Sequence, residues 1–126
     1  MQDEVLTQSI IGCAMRVHTT LGRGFLESVY QRALIHELIK LGLTVESEKP
    51  LQVIYDGIVV GNFSADLLVE KRTLIELKAN QSLVVANEVQ LVNYLTATGI
   101  DLGLLLNFGA ARLGFKRKTR LLKPLS

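Results

Sequence analysis

Cysteine is almost missing: Cys13 stands alone among 126 residues, so no intrachain disulfide can form, and a reducing cytoplasm is the expected compartment. Long apolar runs are missing too, and the start Met1-Gln2-Asp3-Glu4 is acidic. A secretory signal or a bilayer-spanning helix is therefore not expected. The chain contains no internal repeat, low-complexity tract or Pro/Gly/Ser linker, and a single domain over 1–126 is the expectation. Phosphate loops, nucleophile elbows and Cys/His zinc patterns are absent. His18 and His36 have no ligand-like partners at metal spacing and read as ordinary helix residues.

A large excess of charge of one sign is also missing, since the formal net charge is only +2. Its distribution says more. Lys116, Arg117, Lys118, Arg120 and Lys123 crowd the C-terminal tail, which has no acidic residue after Asp101. Such a block suits phosphate backbones, but it suits a solvated edge strand that uses lysine against aggregation at least as well.

What is present is a core, with 48% hydrophobic residues. Leu6, Ile10, Ala14, Val17 and Leu21 recur at steps of three and four, which predicts a helix from Glu4 to Thr20. Gly22-Arg23-Gly24 breaks it. A second helix is expected from about Phe25 to Leu41, ending at Gly42. Leu43–Glu48 and Leu51–Tyr55 read as two short strands divided by Lys49-Pro50. Asp56-Gly57 signals a tight hairpin turn. Ile58–Gly61 and Phe63–Glu70 continue as strand with a kink near Gly61-Asn62, and Lys71-Arg72 turns the chain into Thr73–Ala79. A third helix is expected from Val84 to Thr98, then a fully buried strand at Leu102–Asn107 and an edge strand at Gly114–Leu121. This order predicts an α/β domain, one mixed sheet flanked by helices.

Two middle strands carry residues that do not belong in a plain core. Asp66 interrupts the apolar stretch Ser64-Ala65-Asp66-Leu67-Leu68-Val69. In the next strand Glu76 and Lys78 share one face, with Ile75, Leu77 and Ala79 on the other. Glu-x-Lys alone fits an amphipathic strand with an ion pair. Asp66 changes that balance, because one ammonium cannot neutralise two clustered carboxylates, whereas magnesium or manganese can. Asp66 and Glu76 share a face only if their connection has an odd length or a bulge. A three-residue turn over Lys71–Thr73 would set Asp66 opposite Lys78.

The helices add polar residues in register. Asn87, Gln90 and Tyr94 share one face of the third helix, and Glu27 and Tyr30 lie one turn apart near the start of the second. If Gly24 caps that helix, Glu27 is its third residue, where a carboxylate favours the positive end of the dipole. Capping and membership of a site are compatible for Glu27.

Together these residues resemble a known family. Gly24-Phe25-Leu26-Glu27-Ser28-Val29-Tyr30 reads as G-x-x-E-x-x-Y, the signature of the GxxExxY proteins. His18–Gly22, Asp66–Val69, Ile75–Ala79 and Leu105-Leu106-Asn107-Phe108-Gly109 extend the similarity over nearly the whole chain. The family is placed in the PD-(D/E)xK nuclease-like superfamily, whose restriction-endonuclease-like core is a mixed β-sheet flanked by helices. The ordered set E, D, E-x-K, Q-x-x-x-Y resembles the RecB-like branch.

The resemblance implies roles. Asp66 and Glu76 would bind Mg2+ or Mn2+ with the backbone carbonyl of Leu77, and Glu27 would complete the metal shell. Lys78 would orient or activate the attacking water. Gln90 and Tyr94 would line the site and position substrate or lysine. Asn87 departs from the family, where histidine is frequent. The implied activity is metal-dependent hydrolysis of phosphodiester bonds in DNA or RNA. The alternative is a catalytically silent nucleic-acid-binding or protein-interaction domain on the same fold. A chain this short leaves little surface for a substrate groove, which a homodimer or a protein partner could supply.

Overall fold

A computed structural model describes residues 2–121. Helix α1 (Asp3–Leu21) and helix α2 (Glu27–Lys40) come first. Three antiparallel strands follow, β1 (Val45–Tyr55), β2 (Ile58–Val69) and β3 (Thr73–Lys78). Helix α3 (Val85–Thr98) crosses over to β4 (Leu102–Asn107), which runs parallel to β3, and β5 (Gly114–Thr119) closes the far edge antiparallel to β4. The sheet order is β1-β2-β3-β4-β5. No helix among the described residues is long and apolar enough to cross a membrane.

Alternation along the strands divides the core in two. Leu67, Val69, Ile75, Leu77, Leu104 and Leu106 face α1 and α2. Leu68, Leu74 and Leu105 face Leu91 and Leu95 of α3. The central strands β3 and β4 are thus covered on both sides, as a parallel pair requires. Gly103 lets α3 sit close to β4: a Cβ there would lie 3.0 Å from Leu91 Cδ1.

Several boundaries differ from the sequence reading, each for a local reason. The two short strands before Asp56 are one continuous β1, because Pro50 lies on an edge strand where a missing N–H is tolerated. Asp56 and Gly57 both take positive φ, as a two-residue hairpin turn with right-handed twist demands. The kink in β2 is a bulge at Val60: Ile54 pairs with Val59 and Val53 with Gly61, leaving one residue over. The β2–β3 connection has three residues, but they are Glu70, Lys71 and Arg72, so Val69 pairs with Thr73. Thr44 explains the shift. Its N–H and hydroxyl donate to Glu70 Oε2 at 2.8 and 2.5 Å and draw Glu70 out of the strand.

The basic tail lies largely on the edge strand. Lys118 pairs with Glu88 of α3 at 2.6 Å, Arg117 donates to Thr7 Oγ1 at 2.6 Å, and Arg120 pairs with Asp101 at 2.5 Å. These groups are committed to intramolecular partners. Lys123 lies outside the described residues.

Candidate active site

The register that joins Val69 to Thr73 brings Asp66 opposite Glu76, one place beyond the last ladder pair, Leu67 and Ile75. Sequence parity expected an odd connection, and the odd connection is there; the partner of Asp66 is Glu76 rather than Lys78. The ladder stops at Leu67 and Ile75 because Asp66 takes over. Its Oδ2 accepts the Leu77 N–H at 2.7 Å. In an antiparallel pair the N–H and C=O of one residue leave the strand on the same side, so the Leu77 carbonyl faces the same gap.

Glu76 is only 8% exposed, and its Oε1 has no hydrogen-bond partner. Burial, and next the Asp66 charge, push its carboxyl up from 4.5 to about 8. Burial also pushes Asp66 up, the Leu77 N–H opposes that rise, and the charge of Glu48 adds to it. Two carboxyls in one buried gap cannot both ionise cheaply, so the cation-free pair holds a proton at neutral pH. A buried oxygen with no donor and two adjoining carboxyls form a hard-oxygen donor set that fits a divalent cation.

Lys78 ends β3 on the Glu76 face, half-buried. A latch that sequence reasoning left without a role fixes this strand end. The Phe108 N–H donates to Lys78 O at 2.8 Å. Asn107, fully buried at the end of β4, accepts from Asn80 N–H at 3.0 Å and donates to Asn80 O at 2.9 Å. Gly109 is required beside it, since a Cβ would fall 2.3 Å from Asn80 O. A polar residue closing an otherwise apolar strand, followed two places later by glycine, was the signal available in the sequence.

Tyr94 on α3 lies within electrostatic reach of Glu76. Its ring stacks on Phe63 with centroids 3.7 Å apart, and burial, then the Glu76 charge, raises its hydroxyl pKa. Gln90, one turn earlier on α3, is exposed. Asn87 is occupied elsewhere: its Oδ1 accepts the Val84 N–H at 3.1 Å and closes the first turn of α3.

Glu27 is exposed and is the first residue of α2, with Leu26 rather than Gly24 at the cap. The motif tyrosine accounts for the later start. Tyr30 is fully buried, donates to Gly22 O at 2.6 Å, accepts from the Phe25 N–H at 3.1 Å and stacks on Phe108 at 4.7 Å. The α1–α2 turn is therefore folded on Tyr30, and the helix begins beyond it. Glu27 keeps the favourable end of the dipole. Among the described residues, no three His, Cys, Asp or Glu side chains converge closely enough to hold a metal ion between them. Asp66 and Glu76 are brought together; Glu27 does not join them in such a group.

Gln31, one turn after Glu27, had no place in the sequence reading. Its Nε2 donates to Asp66 O at 3.0 Å and to Glu48 Oε1 at 2.9 Å, so α2 reaches the strand pair that carries the site.

The fold and family agree with known proteins. The structure is similar to that of SSO0001 with a TM-score of 0.60 at 19% identity, over 77% of this chain and 52% of that one. This chain thus spans about half the length of SSO0001. It also aligns with LHK-Exo in complex with dAMP, at a TM-score of 0.48 and 16% identity over 85% of this chain and 76% of that one. At 19% identity the likeness to SSO0001 concerns the fold alone. No protein of curated function matches the chain by sequence. The sequence model of the PD-(D/E)XK nuclease superfamily matches residues 4–118, nearly the whole length. On that match, and with a five-stranded mixed sheet flanked by three helices, the chain belongs to the PD-(D/E)XK nuclease superfamily.

Proposed function

We propose that this domain is a divalent-metal-dependent nuclease that hydrolyses phosphodiester bonds in DNA or RNA, and that it is one of the GxxExxY proteins within its superfamily. One observation carries the reading: the buried, unpartnered Oε1 of Glu76 beside Asp66. A structural carboxylate pair would be expected to find a donor for each buried oxygen, and Glu76 Oε1 has none.

Asp66, Glu76 and the Leu77 carbonyl would hold Mg2+ or Mn2+, with Glu27 as a further carboxylate drawn in when the ion is present. Such an ion supplies Lewis-acid stabilisation of phosphoryl oxygens. The chain's own residues do the rest. Lys78, fixed by the Asn107 latch, orients the attacking water and offsets negative charge as it develops on the phosphate. Tyr94 and Gln90 line the approach from α3 and position substrate or lysine. Asp66, tethered through Oδ2 to Leu77, keeps its other oxygen for the ion.

The test incubates purified protein with single- and double-stranded DNA and RNA in manganese, magnesium or chelator. Cleavage with either metal and none with chelator is the expected result. No cleavage of any substrate with either metal would overturn the reading in favour of a silent nucleic-acid-binding or interaction domain.

A further inference from the structure

Glu48 of β1 stands between the pairs Ser47–Leu67 and Lys49–Ala65, and therefore opposite Asp66. Its φ is +50°, uncommon for a residue with a side chain, and it is exposed. Its carboxylate is held by Gln31, whose Nε2 also grips Asp66 O. The adjacent cation does not neutralise it, since Lys49 pairs with Glu46 at 2.9 Å. Glu48 and Asp66 are thus tied to one side chain, which sets a further carboxylate beside the acidic pair.

The orphaned Oε1 of Glu76, in a residue only 8% exposed and opposite Asp66 in the strand register, points independently to a ligand at the acidic pair. No three carboxylates among the described residues share one direct coordination sphere. A third one must act at longer range. Ions of the magnesium type keep several of their waters, and outer groups that hold those waters tune affinity.

We propose that Glu48 is an outer carboxylate of the Asp66–Glu76 cation site, holding the ion's hydration shell, with Gln31 as its positioning residue. This rests on the cation-dependent reading above.

Manganese affinity measured by calorimetry tests it, with the melting temperature in chelator as the fold control. Glu48→Gln keeps the oxygen that Gln31 bonds and removes only the charge. It should bind manganese about tenfold more weakly, within the range for loss of an outer-shell partner, and melt in chelator no lower than the native protein. Glu48→Asp keeps the charge and should recover most of the affinity. Gln31→Ala should weaken binding in the same direction. If native protein binds manganese and Glu48→Gln binds it equally well, this proposal alone falls. Equal weakening in Glu48→Gln and Glu48→Asp, with lower melting in chelator, would make Glu48 structural and overturn it too. If native protein binds no manganese, the cation reading and this proposal fall together.

Discussion

The Asp66 carboxylate reaches the Leu77 N–H at 2.7 Å, so a side chain occupies the place where β2 would otherwise offer a backbone carbonyl. This single bond both ends the β2–β3 ladder and aims the acid at Glu76. A structural strand pair gains little from such a substitution, because the buried Glu76 then lies beside a second acid.

A cation should relieve that conflict. A ligand that binds only the folded state raises stability by about 2.7 kcal/mol at a hundredfold excess over its dissociation constant. Manganese should therefore raise the melting temperature of the native protein and raise that of Asp66→Asn much less. Equal shifts in the two proteins would point to nonspecific cation binding.

In chelator, stability should depend on pH through Glu76. Its folded pKa is raised from 4.5 to about 8, so between those values the unfolded chain binds fewer protons than the folded one. Stability is then fully present at the acid end of that window and is lost as pH rises through it. The loss should be on the order of a few kcal/mol. Glu76→Gln should flatten this slope in urea unfolding series run from acid to alkaline pH. An unchanged slope would place the titration elsewhere.

How much of this was legible in the sequence depends on what each signal was about. Steps of three and four located α1, and Gly99, in the left-handed conformation, ends α3 where expected. The alternation around Glu76 and Lys78 gave their shared face correctly, because period two is a property of the strand alone. Register is different. The turn moved to Glu70–Arg72 because Thr44, 26 residues earlier, captures Glu70, and no local window contains that bond. Glu48 and Gln31 escaped notice for the same reason, since what sets them beside Asp66 is strand pairing and the seat of α2. Asn87 looked equivalent to Gln90 and Tyr94 on a helical wheel, yet its place three residues after Val84 lets it serve the helix start instead.

Lys78→Ala separates rate from binding. An ammonium that answers charge developing in the transition state should affect rate more than affinity. The variant should fold, bind manganese at least as tightly, and cleave a responsive nucleic acid slower by roughly 10²–10⁴, the range for a positioned catalytic group. Calorimetry and cleavage rates on the same samples decide it. Equal rates in native and variant would make Lys78 structural.

Tyr30→Phe should behave in the opposite way. It keeps the stack on Phe108 but strips the partner from Gly22 O and the Phe25 N–H. Loss of about 1–3 kcal/mol in denaturant unfolding is expected, with manganese affinity nearly unchanged. A variant as stable as the native protein would remove the assigned role in the α1–α2 turn.

The path of the chain also sets the sequence in which the halves of the site can form. Strands β1, β2 and β3 are joined by two- and three-residue turns, so the meander that sets Asp66 against Glu76 closes with little entropic penalty. The Asn107–Asn80 latch spans 27 residues and needs α3 to dock before β4 can lie parallel to β3. Non-local parallel pairing is slow relative to hairpin closure. A nascent chain can therefore assemble its acidic pair while the end of β3 that carries Lys78 is still unanchored, and the candidate site is complete only with the last crossover.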